Sequence, residues 1–384
     1  MSNVEAMRLF PPRGQAAHQS QSLRRLFGAG ALVCVLASPA LATSKGEAPA
    51  PAATLALMAQ KNMAPGAPIL VRSYKKESVL EVWKQTREGR YALLKSFPIC
   101  RWSGQLGPKR RQGDRQSPEG FYAITPRQMN PNSAYYLSFD TGYPNAYDRA
   151  HGASGSALMV HGICSSAGCY AMTNGQIGEI YALARDALAA GQGAFQMQAY
   201  PFRMSAQNMA NYRADPNIDF WRQLKEGADH FEATGQEPRV SVVGARYVFH
   251  DQTPELEQIA RDYHAQEEAR SAALVKQGGA SIRTTYADGG QHAIFMAMTK
   301  AGVNLGDVSR PEALAYAGRD VIVTPAHVPP KPVAWNVPLA PPAIAQDAPA
   351  PQPLMAHRLM SGAVPILDNA FAARPWAVMA QHGV

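Results

Sequence analysis

Short apolar runs, some alternating with polar positions, predict a series of β-strands in the first two thirds of the chain. The runs 68–74 and 78–83 enclose a short polar stretch, which is typical of two paired strands. The other strand-like runs are 91–99, 121–125, 134–139, 156–161, 194–200 and 239–249. The run 156–161 places His161 at the end of a strand.

Apolar residues at helical spacing predict helices between and after these strands. A capping-box sequence at Thr173 opens one helix, and region 205–226 predicts one or two more. A heavily charged helix follows over about 253–277, with a cap and a proline in its first turn. We therefore expect an α+β, mainly β, domain over 67–250 and an accessory helical segment over 251–324.

The N-terminus has the pattern of a secretory signal peptide. Arg24 and Arg25 precede the apolar run 26–37, and a small-residue cleavage signal follows at 40–42. The apolar run is too short to span a membrane as a helix. We expect residues 1–42 to be removed on export to the periplasm or cell envelope. The pattern does not separate Sec from twin-arginine export.

Two other segments have compositions that suit chain without a packed core. Residues 43–66 are rich in alanine, proline and other small residues, which predicts a linker. Residues 325–384 hold 12 of the 30 prolines, which predicts a disordered tail. The sequence assigns no role to 251–384, and it shows no internal repeat.

The overall composition excludes several classes of protein. The 384 residues are 46% hydrophobic and 17% charged, which is apolar enough for a core and excludes a disordered chain, a coiled coil or a collagen. Four cysteines are too few for a disulfide-dense scaffold. The net charge is +8, and it becomes 33 − 28 = +5 once residues 1–42 are removed. This positive charge lacks the interleaved aromatic residues that favour nucleic-acid binding, and export also argues against such binding. We interpret the basic run 109–111 as a solvated loop; anionic glycans or lipid headgroups are its alternative ligands.

The segment 151–174 holds the residues best suited to chemistry. A strand ends in His161-Gly162, and a loop of small residues then leads to Cys169, just before a helix cap. An imidazole can take the proton of a thiol, and a helix N-terminus favours a thiolate. The N–H groups of a small-residue loop can also hold an oxyanion.

Three other interpretations fit the same segment. His161, Cys164 and Cys169 could bind zinc with a fourth ligand such as His151, although their spacing is irregular for that metal. Cys164 and Cys169 could form a disulfide, which would silence the thiol chemistry. His161 could also be an ordinary core histidine at a strand end.

Several motifs occur together and in order over about residues 68–250. They are Gly113-Asp114-x-x-Ser117-Pro118-Glu119-Gly120, His161-Gly162, Ser166-x-Gly168-Cys169-Tyr170-Ala171-Met172 and Phe220-Trp221-x-x-Leu224-Lys225-Glu226-Gly227. This set resembles the L,D-transpeptidase (YkuD-like) catalytic family and, more closely, its YafK-like branch. The resemblance implies an L,D-transpeptidase-type β-sandwich or barrel with added helices.

The resemblance also implies a cysteine enzyme of the bacterial envelope that needs no metal or organic cofactor. Cys169 would attack a peptide carbonyl of a peptidoglycan stem at meso-diaminopimelate. His161 would be the base, and a backbone carbonyl near Gly162 would orient it. The candidate substrate and oxyanion residues are Ser166, Gly168, Tyr170, His151 and Arg149.

The chain departs from the wider family directly after the cysteine. Most members have a hydrophobic residue and then an arginine there, whereas this chain has Tyr170 and Ala171. The branch typically has an arginine at the position of Ala153, for which Arg149 is the nearest substitute. Both transpeptidation and hydrolysis stay open, including release of a lipoprotein linked to diaminopimelate. The alternative is a non-catalytic envelope-binding protein on the same fold.

The resemblance changes the interpretation of the cysteines. Cys34 lies inside the expected signal peptide, and the resemblance assigns Cys169 as the nucleophile. Cys100 and Cys164 then remain as a candidate disulfide, which would brace the active-site loop. The sequence predicts neither the acceptor nor the oligomeric state.

Overall fold

A computed structural model describes residues 44–306 and 318–326 of the chain. The chain divides into two compact units, 1–329 and 330–384, and every described residue belongs to the first. The expected signal peptide and nearly all of the expected proline-rich tail lie outside the described residues. Within the described residues, no helix combines the length and apolar character needed to cross a membrane.

The described residues form thirteen strands and seven helices. The helices are α1 (Ala52–Gln60), α2 (Ala146–Ala150), α3 (Asn174–Ala189), α4 (Ala206–Asn211), α5 (Ile218–Thr234), α6 (Pro254–Lys276) and α7 (Ala293–Lys300). The strands are β1 (Ile69–Tyr74), β2 (Val79–Gln85), β3 (Tyr91–Pro98), β4 (Gly120–Ile124), β5 (Met129–Asn130), β6 (Ser138–Asp140), β7 (Met159–His161), β8 (Tyr170–Ala171), β9 (Phe195–Tyr200), β10 (Arg239–Val243), β11 (Arg246–His250), β12 (Ser281–Thr285) and β13 (Arg319–Thr324).

The larger sheet has five strands in the order β3-β2-β1-β9-β4. Its central strand β1 pairs antiparallel with β2 and parallel with β9. All six residues of β1 are buried, as expected for a strand that is covered on both faces. The predicted pair of strands at the start of the domain thus becomes the centre of this sheet.

The smaller sheet carries the candidate chemistry. Its order is β5-β6-β7-β8, and β7 pairs antiparallel with β6 and parallel with β8. The helix α3 begins shortly after β8 and packs against β1, β6 and β7, so it touches both sheets. Between the sheets, the rings of Phe139 and Phe195 meet edge to face at 5.4 Å. One continuous core therefore supports the strands that end at His161 and begin after Cys169.

Several segments differ from the sequence-based expectation. The run 239–249 forms the antiparallel pair β10 and β11 instead of one strand, and α5 extends beyond 226 to Thr234. The predicted linker 43–66 contains α1, and Met58 and Met63 are buried in the main core at 2% and 4% exposure. Thr54 also donates a hydrogen bond to Glu179 of α3, so this alanine-rich segment is anchored by a few apolar and polar contacts. The accessory segment 251–324 is not only helical, because β12 and β13 form an antiparallel pair within it.

Candidate active site

His161 is the last residue of β7 and is 1% exposed. Its Nδ1 lies 2.5 Å from the carbonyl oxygen of Gly162. Because a carbonyl oxygen only accepts, Nδ1 must carry the proton, and the neutral ring then offers the lone pair of Nε2 as a base. The ring of Tyr135 lies against the imidazole with a centroid distance of 4.6 Å.

The position of the Gly162 carbonyl depends on the absence of a side chain at that residue. A Cβ on Gly162 would lie 2.6 Å from Oδ1 of Asn174 and 2.9 Å from the carbonyl oxygen of Tyr135. The Gly162 N–H donates to that same Tyr135 oxygen at 3.0 Å, and Ile163 N–H donates to Asn174 Oδ1 at 3.1 Å. The first residue of α3 therefore fixes the turn that orients the histidine.

Burial lowers the pKa of His161 below its usual value, and the Gly162 carbonyl only partly opposes this effect. Desolvation disfavours the charged form of a buried imidazole. The ring is therefore neutral near pH 7, which is the state a general base requires.

Cys169 comes directly before β8. In the parallel pairing, Val160 lies beside Tyr170 and His161 beside Ala171. Cys169 directly precedes this pairing, and the N–H of Met159, two residues before His161, donates to its sulfur. The thiol therefore lies beside β7, the strand that ends in His161.

The sulfur of Cys169 is a free, half-buried thiol. It accepts the N–H of Met159 at 3.4 Å and donates to the carbonyl oxygen of Ala157 at 3.8 Å. Burial raises the pKa of the Cys169 thiol to about 11; the Met159 N–H and the charge of Lys109 oppose that rise, and Asp140 adds to it. The resting thiol is thus protonated, so nucleophilic chemistry needs a base that accepts its proton.

Two serine hydroxyls hold the backbone of Cys169. Ser166 Oγ donates to the Cys169 carbonyl oxygen at 2.7 Å, and Ser117 Oγ donates to the same oxygen at 3.0 Å. Gly168 has φ = +140°, a conformation that favours glycine. The loop before the cysteine is therefore held by the Ser117 motif as well as by its own residues.

Three other predicted substrate residues, Tyr170, His151 and Arg149, make contacts with parts of the chain other than the Cys169 thiol and the His161 ring. Tyr170 is fully buried, and its hydroxyl donates to the carbonyl oxygen of Pro118 at 2.6 Å, so it supports the loop. His151 follows α2, and its ring contacts the ring of Tyr147 in a tilted arrangement with a centroid distance of 4.1 Å. Arg149 donates to the carbonyl oxygen of Pro144. In the part of the chain that the structure describes, neither His151 nor Arg149 makes a hydrogen bond or ring contact with Cys169 or His161.

Lys109 is buried and paired with Asp114, which its position in a basic run did not indicate. It is 4% exposed, and its Nζ donates to Asp114 Oδ1 at 2.5 Å and to the carbonyl oxygen of Arg111 at 3.0 Å. The prediction of a solvated loop is wrong for this residue, although Arg110 and Arg111 are exposed. The signal that could have found it is Asp114, which belongs to the matching motif and is the partner of the buried ammonium.

Cys100 and Cys164 are joined by a disulfide, with their Cα atoms 5.3 Å apart. This pairing excludes the Cys164–Cys169 disulfide and removes Cys164 as a zinc ligand. Among the residues the structure describes, no cluster of three or more histidine, cysteine or acidic side chains is arranged to hold a metal ion.

A cavity of about 280 Å³ lies elsewhere, between the turn from β1 to β2 and the accessory segment. Its lining includes Lys76, Glu77, Tyr286, Gln291 and His292, and includes neither Cys169 nor His161. This cavity is therefore separate from the candidate catalytic residues Cys169 and His161.

Comparison with known proteins agrees with this geometry. Residues 74–193 match the family model of the L,D-transpeptidase catalytic domain, YkuD. The chain is also 50% identical over 183 residues to the protein of Escherichia coli strain K12 called "Putative L,D-transpeptidase YafK", covering 48% of this chain and 74% of that relative. The chain therefore belongs to the L,D-transpeptidase catalytic-domain family. Within that family it is similar to YafK, with the same identity to the protein of E. coli O157:H7.

Solved structures with distant similarity include the helical cell shape determining protein Pgp2 of Campylobacter jejuni. That match has 17% identity and a TM-score of 0.29, and it covers 60% of this chain and 80% of Pgp2. Bd1075 of Bdellovibrio bacteriovorus matches at 15% identity and a TM-score of 0.26, over 57% of this chain and 75% of that one. The family match and the observed helices and strands confirm the predicted α+β fold class.

Proposed function

We propose that this protein is an exported cysteine acyl-transfer enzyme. Its substrate would be a stem peptide of peptidoglycan, which is the class of substrate on which the family acts, cleaved at the L,D bond of meso-diaminopimelate. The main support is that a free thiol at Cys169 lies beside β7, the strand that ends in the buried imidazole of His161. The bond from Nδ1 to Gly162 leaves Nε2 as the basic nitrogen.

In the first half of the reaction, His161 Nε2 takes the proton of the Cys169 thiol while Sγ attacks the peptide carbonyl carbon. To reach the imidazole, the thiol leaves its long contact with the Ala157 carbonyl oxygen. The tetrahedral intermediate collapses when the C–N bond breaks, and the leaving amine takes the proton from His161. A thioester to Cys169 remains.

In the second half, an amine or a water molecule gives a proton to His161 Nε2 and attacks the thioester carbonyl. The C–S bond breaks, and Sγ recovers the proton. An amine acceptor completes transpeptidation, whereas water completes hydrolysis. The loop before Cys169 is held by Ser166 and Ser117, so the backbone that surrounds the reacting carbonyl is fixed before the substrate binds.

Hydrolysis is the outcome that we favour, including release of a lipoprotein linked to diaminopimelate. Where most family members have an arginine that helps hold a substrate carboxylate, this chain has Ala171. Ala171 is fully buried, and its N–H donates to the carbonyl oxygen of Arg101 at 2.8 Å. Its place inside the sheet leaves this position without a charge that could hold an acceptor stem.

The decisive experiment incubates the mature protein with purified muropeptides and separates the products. Shortened stems or released diaminopimelate-linked peptide would support hydrolysis, and new cross-links would instead show a transpeptidase. Cys169→Ala should abolish either product. Full activity of Cys169→Ala would contradict the mechanism.

Carbapenems acylate the cysteine of this family and therefore test whether the site is catalytic at all. Mass spectrometry of the treated wild type should show one adduct at Cys169, and none in Cys169→Ala. A wild type that gives neither an adduct nor any muropeptide product would instead be a binding protein on the same fold.

A further inference from the structure

The accessory segment lies directly against the catalytic region. Gly290 and Trp102 exchange backbone hydrogen bonds of 2.9 and 3.1 Å, and His292 N–H donates to the carbonyl oxygen of Ile99 at 3.0 Å. Gly289 N–H donates to the carbonyl oxygen of Gly104 at 2.6 Å. These bonds place the residues around 288–292 beside the chain that follows β3.

Asp288 is the charged centre of this contact and is 4% exposed. Its Oδ2 accepts from Arg115 Nη2 at 2.7 Å and from Arg115 Nε at 3.1 Å, in a fork of two hydrogen bonds. Its Oδ1 accepts the N–H of Gly104 at 3.2 Å, and its backbone oxygen accepts from Arg101. Asp288 thus fixes the plane and direction of the Arg115 guanidinium.

Arg115 continues this connection into the loop that carries the thiol. Its Nη2 donates to the carbonyl oxygen of Ser166 at 3.1 Å. Ser166 Oγ in turn donates to the Cys169 carbonyl oxygen at 2.7 Å. A continuous chain of hydrogen bonds therefore runs from Asp288 through Arg115 and Ser166 to the backbone of Cys169.

The same segment reaches the loop by a second route. Phe295 of α7 is 4% exposed and packs on the disulfide between Cys100 and Cys164. Cys164 lies between His161 and Cys169 in the chain, and its disulfide joins this loop to Cys100, just after β3. The helix α7 covers that disulfide. The polar and the apolar contacts of the segment converge on the same loop.

We propose that Asp288 is a positioning residue, which orients Arg115 so that the loop 162–169 holds Cys169 in register with His161. This proposal rests on the proposed function, since it takes Cys169 as the nucleophile. It assigns the accessory segment a place in the active-site scaffold. Because misplacing a reacting group by about 1 Å can cost about 100-fold in rate, losing the Asp288–Arg115 fork should lower turnover.

The test compares Asp288→Asn, Asp288→Glu and a matched control, Asp229→Asn. Asp229 is 1% exposed and pairs with the buried Lys225 one turn away on α5 and with His264 of α6, so this variant loses a similarly buried charge in a different region. For each variant, we would measure muropeptide turnover, the rate of Cys169 alkylation by iodoacetamide and the melting temperature. Alkylation needs no substrate, so it reports on the loop even if the proposed substrate is wrong.

We expect Asp288→Asn to lower kcat about 10- to 100-fold and to change KM little, because the variant displaces the reacting thiol and does not remove a group that would bind the substrate. The pH dependence of alkylation should also change, since the environment of the thiol is altered. Asp288→Glu should recover part of the rate, and Asp229→Asn should lower the melting temperature but keep kcat within about threefold.

Equal losses of kcat in Asp229→Asn and Asp288→Asn would show a general effect of stability and overturn the proposal. If Asp288→Asn does not fold, Arg115→Gln replaces it, because the buried Asp288 carboxylate then still has Arg101 at 3.7 Å as a cationic partner. Wild-type turnover and alkylation in Arg115→Gln would equally overturn it. If the wild type is inactive on muropeptides but Asp288→Asn is still alkylated at a different rate from the wild type, only the proposed substrate is rejected.

Discussion

Lys75 and Glu119 form a fully buried ion pair with an Nζ–Oε1 distance of 2.8 Å and no exposed side-chain surface. Lys75 Nζ also donates to the carbonyl oxygen of Ser117 at 2.9 Å, and Trp221 Nε1 donates to Glu119 Oε2 at 2.9 Å. The pair therefore joins the end of β1 to the Ser117-Pro118-Glu119-Gly120 motif. Because Ser117 Oγ donates to the Cys169 carbonyl oxygen, the ion pair helps to position the backbone of Cys169.

Lys75→Met should lower the free energy of unfolding by about 3–5 kcal/mol, because it leaves the Glu119 carboxylate buried without its cation. Urea denaturation followed by circular dichroism measures the change. The control is Arg222→Met, which breaks an exposed pair with Asp219 and should cost less than about 1 kcal/mol. A loss no larger than that of the control would mean that the buried pair contributes little.

The acid–base states of Cys169 and His161 predict how alkylation depends on pH. The Cys169 pKa is raised to about 11 by burial, and the His161 pKa is lowered by burial. Thiolate should therefore increase about tenfold per pH unit between pH 7 and 9, and the rate of alkylation by iodoacetamide should rise with it. A rate that is constant over this range would instead indicate a preformed thiolate–imidazolium pair.

Turnover should depend on pH in a different way, because the free base must be neutral to accept the thiol proton. The lowered His161 pKa means that turnover falls only on the acidic side, below the ordinary histidine pKa of about 6.5. Muropeptide turnover from pH 5 to 8 measures this limb. His161→Gln should remove it and lower kcat about 100- to 10,000-fold, with an unchanged circular dichroism spectrum.

The strand pattern and the motifs placed His161, Gly162 and Cys169 near one another, because a histidine at a strand end and a short loop leave few alternatives. The pattern did not show that Tyr170 faces the interior. A two-residue strand has too little alternation to reveal which face is buried. Its hydroxyl is used inside the fold, on Pro118.

Contacts between residues far apart in sequence were beyond prediction from one chain. Asp288 and Arg115 are separated by 173 residues, and neither stands in a pattern that indicates the other. The composition of 43–66 is typical of a linker, yet Met58 and Met63 are buried in the core and Thr54 bonds to Glu179 of α3. In each case, burial depends on a partner that local sequence does not contain.

The disulfide between Cys100 and Cys164 closes a loop with a sequence separation of 64. On the chain-entropy model, a loop of this length contributes about 4 kcal/mol to the free energy of unfolding. The double variant Cys100→Ser and Cys164→Ser should lose stability of that order in chemical denaturation, and it retains Cys169. The oxidised wild type should show one thiol after export, and a count of three would contradict the pairing.

The turn at Gly162 supplies the last prediction. A Cβ there would meet the Asn174 amide oxygen at 2.6 Å and the Tyr135 carbonyl oxygen at 2.9 Å, so Gly162→Ala must shift the backbone that carries the His161 acceptor. We expect kcat to fall at least tenfold, because the imidazole loses the bond that holds its Nδ1 proton. Gly175→Ala is the matched control, since no atom within 4 Å would meet its Cβ. If Gly162→Ala keeps the turnover of this control, the orientation of His161 does not depend on the Gly162 carbonyl.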